Sequence, residues 1–180
     1  KEGWEISEFK KPIYSDNGYR MFFGLRPVPR TIIEDTLKLD DEKAQVDVWS
    51  WNDKDVQPYQ KVNNKKIKEK SYLAVYHIKD RKVVQLADET VDEIVLDKKN
   101  NLLNAIGFSS EKYKWERSFA YPWKKDLYSV NLNNGLKRIV FEGISDDAKL
   151  SPKGNFAALY SRRDSSWYSV DLRSAKKYRL

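Results

Sequence analysis

The sequence predicts an all-β fold, because one short unit of turns and strands occurs three times along the chain. The clearest copy is residues 151–180, which begins Ser-Pro-Lys-Gly and continues through Phe-Ala-Ala-Leu-Tyr and Trp-Tyr-Ser-Val-Asp-Leu. Looser copies begin at Asp97 and at Ser15. A unit this small cannot bury its apolar face alone, so the copies are expected to pack against one another.

Each copy opens with a tight turn and a strand. The turns begin at Ser15, Asp97 and Ser151, and each contains a Gly or Asn that tolerates a positive φ. Short apolar stretches follow the turns, at 19–25, 102–108 and 156–160. Short apolar runs bounded by turn residues predict buried strands.

The next strand is the best conserved part of the repeat within this chain. Residues 127–132 (Leu-Tyr-Ser-Val-Asn-Leu) match residues 167–172 (Trp-Tyr-Ser-Val-Asp-Leu) position by position, and 72–78 is a third version. Tyr, Val and Leu alternate with Ser and Asn or Asp, which is the period of a half-buried strand. A polar turn and a last strand follow at constant spacing, so that Ile78, Leu132 and Leu172 precede Leu86, Val140 and Leu180.

The copies differ in the connection between their second and third strands. It is short at 162–166, longer and aromatic at 109–126, and longest at 26–70. Within 26–70, alternation at 44–51 predicts an extra strand, 63–66 predicts a polar loop, and 34–43 could form one or two helical turns. No other helix is expected. The sequence thus predicts units at 15–88, 89–143 and 144–180, with 1–14 as a remnant of a preceding unit.

Composition excludes several classes of protein. The 180 residues are 40% hydrophobic and 34% charged, as in a globular domain. The formal net charge is +7, but the lysine pairs fall in separate predicted turns, so we expect no nucleic-acid partner. The absence of cysteine excludes disulfides and thiolate metal sites. We find no membrane-spanning run and no signal peptide, and the start at Lys1 suggests processing or a segment of a longer protein.

Tandem units of four short antiparallel strands predict the blades of a β-propeller. About three blades fit this length, and a β-sandwich is the main rival, although it would not explain the repeated units. A closed propeller usually has more blades, so we expect this chain to form part of a larger ring. The open sheet faces and edges of such a segment predict self-association into a homodimer or a higher oligomer.

The sequence also resembles a known family. The Ser-Pro-Lys-Gly-Asn-Phe-Ala-Ala turn and strand at 151–158 is similar to the blade motif of TolB-like propellers and of prolyl oligopeptidase and dipeptidyl-peptidase-type serine peptidases. The stretch Val-Asp-Val-Trp-Ser-Trp-Asn-Asp at 46–53, with Gln-Pro-Tyr-Gln at 57–60, resembles the propeller of bacterial members of that peptidase family.

The resemblance implies a propeller segment of an exported, periplasmic or extracellular, bacterial enzyme. In that family an α/β-hydrolase domain with a Ser-Asp-His triad follows the propeller, but this chain has no Gly-x-Ser-x-Gly motif. The implied role is therefore non-catalytic, namely gating or selecting peptide substrates for the C-terminal hydrolase domain. The alternative is a non-enzymatic TolB-like propeller that binds protein or glycan.

The candidate binding residues are large aromatic residues in the two insertions. They are Trp115, Tyr121 and Trp123 in 109–126, and Trp49 and Trp51 in 26–70. Large aromatic rings can grip a peptide side chain or stack on a sugar. The alternative is that the insertion forms a hairpin and packs these aromatics on its own blade.

No catalytic residue, cofactor or metal site is predicted. The single histidine, His77, lies within a predicted strand without a nucleophile or further ligands. Asp47, Asp53 and Asp55 are expected in turns and at strand edges, and the acidic residues at 88–93 in a turn between blades.

Overall fold

The computed structural model describes residues 3–28, 50 and 52–180 of the chain. The helical turns predicted at 34–43 lie outside the described residues. Of the strand predicted at 44–51, only Ser50 is described, so Trp49 and Trp51 also lie outside the described residues.

The described residues form three antiparallel sheets that follow one another in the chain. The first sheet contains β1 (Trp4–Ile6), β2 (Ile13–Tyr14), β3 (Arg20–Pro27), β4 (Tyr72–His77) and β5 (Lys82–Gln85). The second contains β6 (Glu93–Val95), β7 (Asn104–Ser109), β8 (Lys125–Asn131) and β9 (Lys137–Ile144). The third contains β10 (Lys149–Leu150), β11 (Phe156–Ser161), β12 (Ser166–Asp171) and β13 (Lys177–Arg179). An α-helix, α1 (Gln57–Lys68), and a 3₁₀ helix (Glu111–Ser118) lie in the two insertions.

In the second and third sheets every strand pairs with the next strand along the chain. The second and third sheets have the orders β6-β7-β8-β9 and β10-β11-β12-β13. In the first sheet the order is β1-β3-β4-β5, and β2 also pairs with β3. The structure therefore places both strands of 1–14 in the first sheet, where they share one side of β3 as a broken outer strand, rather than in a preceding blade.

The sheets stack face to face, with an apolar core at each junction. The first core joins the first and second sheets and includes Phe22, Val75, Leu86, Val130 and Leu132, all nearly inaccessible. The second core joins the second and third sheets, and its members include Ile106, Phe108, Leu127, Leu159 and Val170. Consecutive four-stranded sheets packed in this way are blades, so the predicted fold class, a partial β-propeller of about three blades, is confirmed.

Stacking also explains which strands are buried on both faces. The second sheet lies between two others, and Leu127 on β8 is 0% exposed. The equivalent residue of β12 in the third sheet, Trp167, is 56% exposed, since no sheet covers that face among the described residues. The alternation predicted for β8 is present, but its second face is buried as well.

Hydrogen bonds also connect the first sheet to the second. The buried guanidinium of Arg20 donates to the carbonyls of Leu102 and Asn101, the latter at 3.0 Å. His77 Nε2 lies 2.9 Å from the carbonyl oxygen of Leu132, so the only histidine is a contact between sheets. These bonds satisfy polar groups that the junction removes from water.

Asp88 adds an ionic contact at the same junction. It accepts hydrogen bonds from Lys137 on β9 and from the side chain and backbone of Thr90 and the backbone of Val91. Burial alone would raise the pKa of Asp88, but these donors outweigh burial and lower the pKa from 3.8 to about 2.

The helix α1 is a correction to the sequence prediction, which expected no helix here and a polar loop at 63–66. Pro58 occupies the first turn, where its fixed φ is favourable and its missing N–H is not needed. Lys65, Lys66 and Lys68 lie in the last turn, where cations complement the helix dipole. None of its residues is buried, so the helix has no apolar stripe that would have revealed it. Neither this helix nor any other in the described ranges is long and apolar enough to cross a bilayer.

Candidate functional site

The three connections between second and third strands emerge at the same end of the sheet stack. Each connection leaves the carboxyl-terminal end of an equivalent strand, β3, β7 or β11, and equivalent strands of stacked meanders run the same way. We call this end the insertion end, and define it as residues 52–70, 110–124 and 162–165. The turns of β4–β5, β8–β9 and β12–β13 lie at the opposite end.

The first two insertions contact each other there. Lys54 forms an ion pair with Glu111 at the start of the 3₁₀ helix. Arg117 lies 3.6 Å from the carboxylate of Asp55, donates weakly to the hydroxyl of Tyr59 at 3.4 Å, and donates to Ser110 Oγ at 2.6 Å. Arg117 therefore connects α1 to the aromatic insertion.

The 3₁₀ helix is anchored to the second sheet by a buried carboxylate. The hydroxyl of Tyr113 donates to Asp126 Oδ1 at 2.6 Å, and the backbone N–H of Gly143 donates to the same oxygen at 2.9 Å. Both Tyr113 and Asp126 are buried. Burial, together with the hydrogen bond to Asp126, raises the pKa of Tyr113 well above its ordinary value, so its hydroxyl remains a donor.

The predicted aromatic residues of this insertion lie on the outside of the anchored segment. Trp115 is 49% exposed, Trp123 60%, Phe119 79% and Tyr121 86%. The indole Nε1 of Trp123 donates to the carbonyl of Arg117 at 3.2 Å, which fixes the ring against the end of the 3₁₀ helix. The insertion is a 3₁₀ helix followed by a loop, not the hairpin considered as an alternative, and only Tyr113 of the helix is buried.

Three depressions lie at the insertion end, and two of them are lined by these aromatics. A groove of about 780 Å³ lies between loop 119–124 and the turn 162–165. A small pocket of about 200 Å³ separates Trp123 and Arg117 from Tyr59 of α1. A cleft of about 710 Å³ lies between the end of β3, α1 and the 3₁₀ helix. The predicted candidates Trp115, Tyr121 and Trp123 thus share one end of the stack, whereas Trp49 and Trp51 lie outside the described residues.

Most cations of the large cleft are already paired with acids. Lys70 contacts Asp92 at 2.6 Å, Lys114 contacts Glu111 at 2.6 Å, and Arg26 contacts Glu5 at 2.6 Å. The cleft and the groove each also hold one exposed cation, Lys68 in the cleft and Arg163 in the groove, that makes no ion pair or side-chain hydrogen bond within the part of the chain that the structure describes.

The acidic residues singled out in the sequence have structural contacts. Asp53 accepts a hydrogen bond from the backbone N–H of Ser50 at 3.3 Å, and Asp55 faces Arg117. Asp47 lies outside the described residues. Across residues 3–28, 50 and 52–180, no group of three His, Asp or Glu side chains could hold a metal ion.

Sequence reasoning did not select Asp126, Arg117 or Arg163. One signal pointed to Asp126: it directly precedes the predicted strand 127–132, at a position where the third copy has Ser166. A carboxylate that replaces a hydroxyl at a matched position indicates a local partner, here Tyr113. Arg117 and Arg163 have no comparable signal, since arginines in connections are common on any surface.

Comparison with known proteins gives distant structural likeness only. No family model and no curated protein matches this sequence. The crystal structure of TolB from Acinetobacter baumannii is similar over 95% of this chain and 31% of that chain, with 9% identity and a TM-score of 0.43. The crystal structure of the tricorn protease is similar over 94% of this chain and 22% of that chain, with 10% identity and a TM-score of 0.32. The chain spans less than a third of the length of either protein.

Proposed function

We propose that this chain is a non-catalytic propeller segment that binds peptides at its insertion end. Within an exported bacterial serine peptidase of the prolyl oligopeptidase class, it would gate or select peptides for an α/β-hydrolase domain. The observation that carries the proposal is the convergence of two long connections at one end of the stack, with three large aromatic side chains exposed there. Phe119 and Tyr121 line the groove, and Trp123 lines the small pocket. The peptidase assignment rests on the sequence resemblance, and the geometry supports the binding role.

The exposed rings supply binding energy that folding has not used. A buried aromatic side chain covers about 150–250 Å² of surface, and at least 60% of each of these three rings still faces solvent. The insertion that holds them is itself anchored by the Tyr113–Asp126 hydrogen bond, so binding costs little conformational entropy. An anchored platform with exposed aromatics is typical of peptide-recognition surfaces.

A non-enzymatic propeller that binds protein or glycan is the second candidate. The indole rings of Trp115 and Trp123 favour a glycan, because both are about half exposed or more and flat aromatic faces can stack on sugar rings. The two candidates share the insertion end and differ in ligand.

The binding role is tested by titrating the 180-residue protein with pooled short peptides and with neutral oligosaccharides. Trp123→Ala should weaken peptide binding about tenfold or more, as truncation of a central aromatic contact does. Trp167→Ala is the matched control, since Trp167 is exposed to a similar degree (56% against 60%) but lies on the outer face of the third sheet.

Equal losses in the two variants would contradict the proposed location. Binding of oligosaccharides but not peptides would favour the second candidate. The peptidase part is tested separately by the full reading frame, where a downstream Gly-x-Ser-x-Gly segment is expected and an unrelated domain would refute it.

A further inference from the structure

We infer that the groove between loop 119–124 and the turn 162–165 binds a peptide carboxylate, with Arg163 as the principal cationic contact. We call it the cationic groove, and its lining includes Lys112, Phe119, Tyr121, Lys124, Arg162 and Arg163. The inference deepens the proposed function, on which it rests, by assigning the chemical class of the peptide and the side chains that recognise it.

Charge is unequally distributed around the cationic groove. Four cationic side chains line it, and Glu142 is the only acidic residue among its described lining residues. An excess of one sign of charge around a depression concentrates ligands of the opposite sign. The groove therefore favours an anionic group over a neutral or cationic one.

Three of these four cations are already in ion pairs within the protein. Lys112 contacts Glu142 at 3.2 Å, and Lys124 contacts Glu116 at 2.9 Å. The guanidinium of Arg162 is held in a fork by both oxygens of Asp146, at 2.8 and 2.7 Å.

Arg163 is different, because none of the described residues pairs with it. A guanidinium presents a rigid fork of donors that matches the two oxygens of a carboxylate. Its neighbour Arg162 is fixed by Asp146, so the turn that carries Arg163 is held in place before any ligand arrives. The vacant fork of Arg163 is the feature that selects a carboxylate.

Phe119 and Tyr121 define what accompanies the carboxylate. Both rings are more than three-quarters exposed and line the same groove as Arg163. Apolar side chains beside the acidic group could cover these rings and remove them from water. The expected ligand therefore carries a carboxylate next to apolar residues, in a stretch of a few residues that suits a groove of about 780 Å³.

The same surface is unfavourable for nucleic acid. A polyphosphate strand gains affinity by neutralising many phosphates along a continuous cationic track. Here Glu116, Glu142 and Asp146 alternate with the cations, so a run of phosphates would meet acids as well. A peptide with one localised carboxylate avoids that repulsion.

The experiment compares four probes by fluorescence polarisation on the full 180-residue chain. The first is labelled Ala-Leu-Glu-Leu-Ala with an amidated end, and the second is its Gln isostere, also amidated. The third is the Gln peptide with a free carboxyl terminus, which distinguishes a terminal from a side-chain carboxylate. The fourth is a labelled short oligodeoxythymidylate, which reports any binding of a phosphate chain.

We expect at least one of the two carboxylate peptides to bind about tenfold more tightly than the neutral peptide at low salt. Raising the salt from about 50 to about 500 mM should remove most of that advantage, because the groove is open to solvent. Arg163→Gln should abolish the advantage. The matched control Arg81→Gln should preserve it, since Arg81 is also an exposed arginine but lies in the β4–β5 turn at the opposite end.

Four results would overturn the inference. They are equal affinity for all three peptides, equal effects of Arg163→Gln and Arg81→Gln, tighter binding of the oligonucleotide than of any peptide, and failure of every peptide to bind. Equal affinity with measurable binding would leave the proposed function intact, whereas failure of every peptide to bind would remove both. The comparison of peptides on the unmodified protein needs no variant, and circular dichroism would verify that both variants fold.

Discussion

Removing the hydroxyl of Tyr113 should release the candidate site from the scaffold. Tyr113→Phe deletes the donor that lies 2.6 Å from Asp126 Oδ1 and keeps the ring in place. The carboxylate of Asp126 is 4% exposed, so water cannot fully replace the lost donor, and the N–H of Gly143 at 2.9 Å remains. A buried charged acceptor that loses one partner is destabilised.

The expected cost is about 1.5–3 kcal/mol in the free energy of unfolding, the range for hydrogen bonds to charged groups. For a domain of 180 residues this corresponds to a decrease of roughly 3–12 °C in the melting temperature. Urea unfolding and thermal denaturation, both followed by circular dichroism, measure the two quantities.

Tyr128→Phe provides the matched control. Tyr128 is a half-buried tyrosine of the same sheet, and its hydroxyl has no hydrogen-bond partner among the described residues. Its loss should change the free energy of unfolding by no more than about 0.5 kcal/mol. A Tyr113→Phe protein as stable as the Tyr128→Phe protein would refute the anchoring role of the Tyr113–Asp126 bond.

The junction between the first and second sheets yields two further predictions. The lowered pKa of Asp88 stabilises the fold above pH 3.8, and this stabilisation is lost as the pH falls towards about 2. Asp88→Asn should therefore remove about 1 kcal/mol of acid-dependent stability, after allowance for solvent screening. Asp80→Asn, at an exposed turn residue, is the control and should not remove it. Urea unfolding between about pH 5 and about pH 2 measures the loss, and an equal pH dependence of the unfolding free energy in the two variants would contradict the prediction. Gly135→Ala should cost at least about 2 kcal/mol, because φ is +72° and a Cβ would lie 2.7 Å from the carbonyl oxygen of Gln85. Gly18→Ala is the control, because Gly18 has a φ of +71° and open space around it, so that only the backbone cost applies. Identical losses of unfolding free energy in the two variants would mean that the first and second sheets do not meet at Gly135.

The strands of the repeat were predictable because their signals are local. Turn residues, short apolar runs and constant spacing lie within each copy, and 127–132 and 167–172 became the equivalent strands β8 and β12. What could not be predicted is that Leu127 is buried and Trp167 exposed. The position of each sheet in the stack decides that difference in exposure, and the sequence of a strand does not show whether another sheet covers it.

The helix α1 shows where periodicity fails as a signal. None of its residues is buried, so no buried apolar face selects a helix over a loop. Pro58 near its start and three lysines near its end were the available signals.

The candidate site was predictable only in part. Trp115, Tyr121 and Trp123 stood out by residue type, and the variable connections indicated where specificity would lie. The pairing of Asp146 with Arg162, and not with the adjacent Arg163, depends on two separate segments that meet in space. Such pairings follow from the fold and not from local sequence.

The most direct measurement is chemical-shift mapping by nuclear magnetic resonance, with an acidic, leucine-containing peptide added to the isotope-labelled protein. If the insertion end is the binding surface, the largest amide shifts will fall in 110–124 and 162–165, and smaller ones in α1. The turns at 79–81, 133–135 and 173–175, at the opposite end, should not move. Shifts concentrated in those turns, or on the outer face of β11 and β12, would contradict binding at the insertion end.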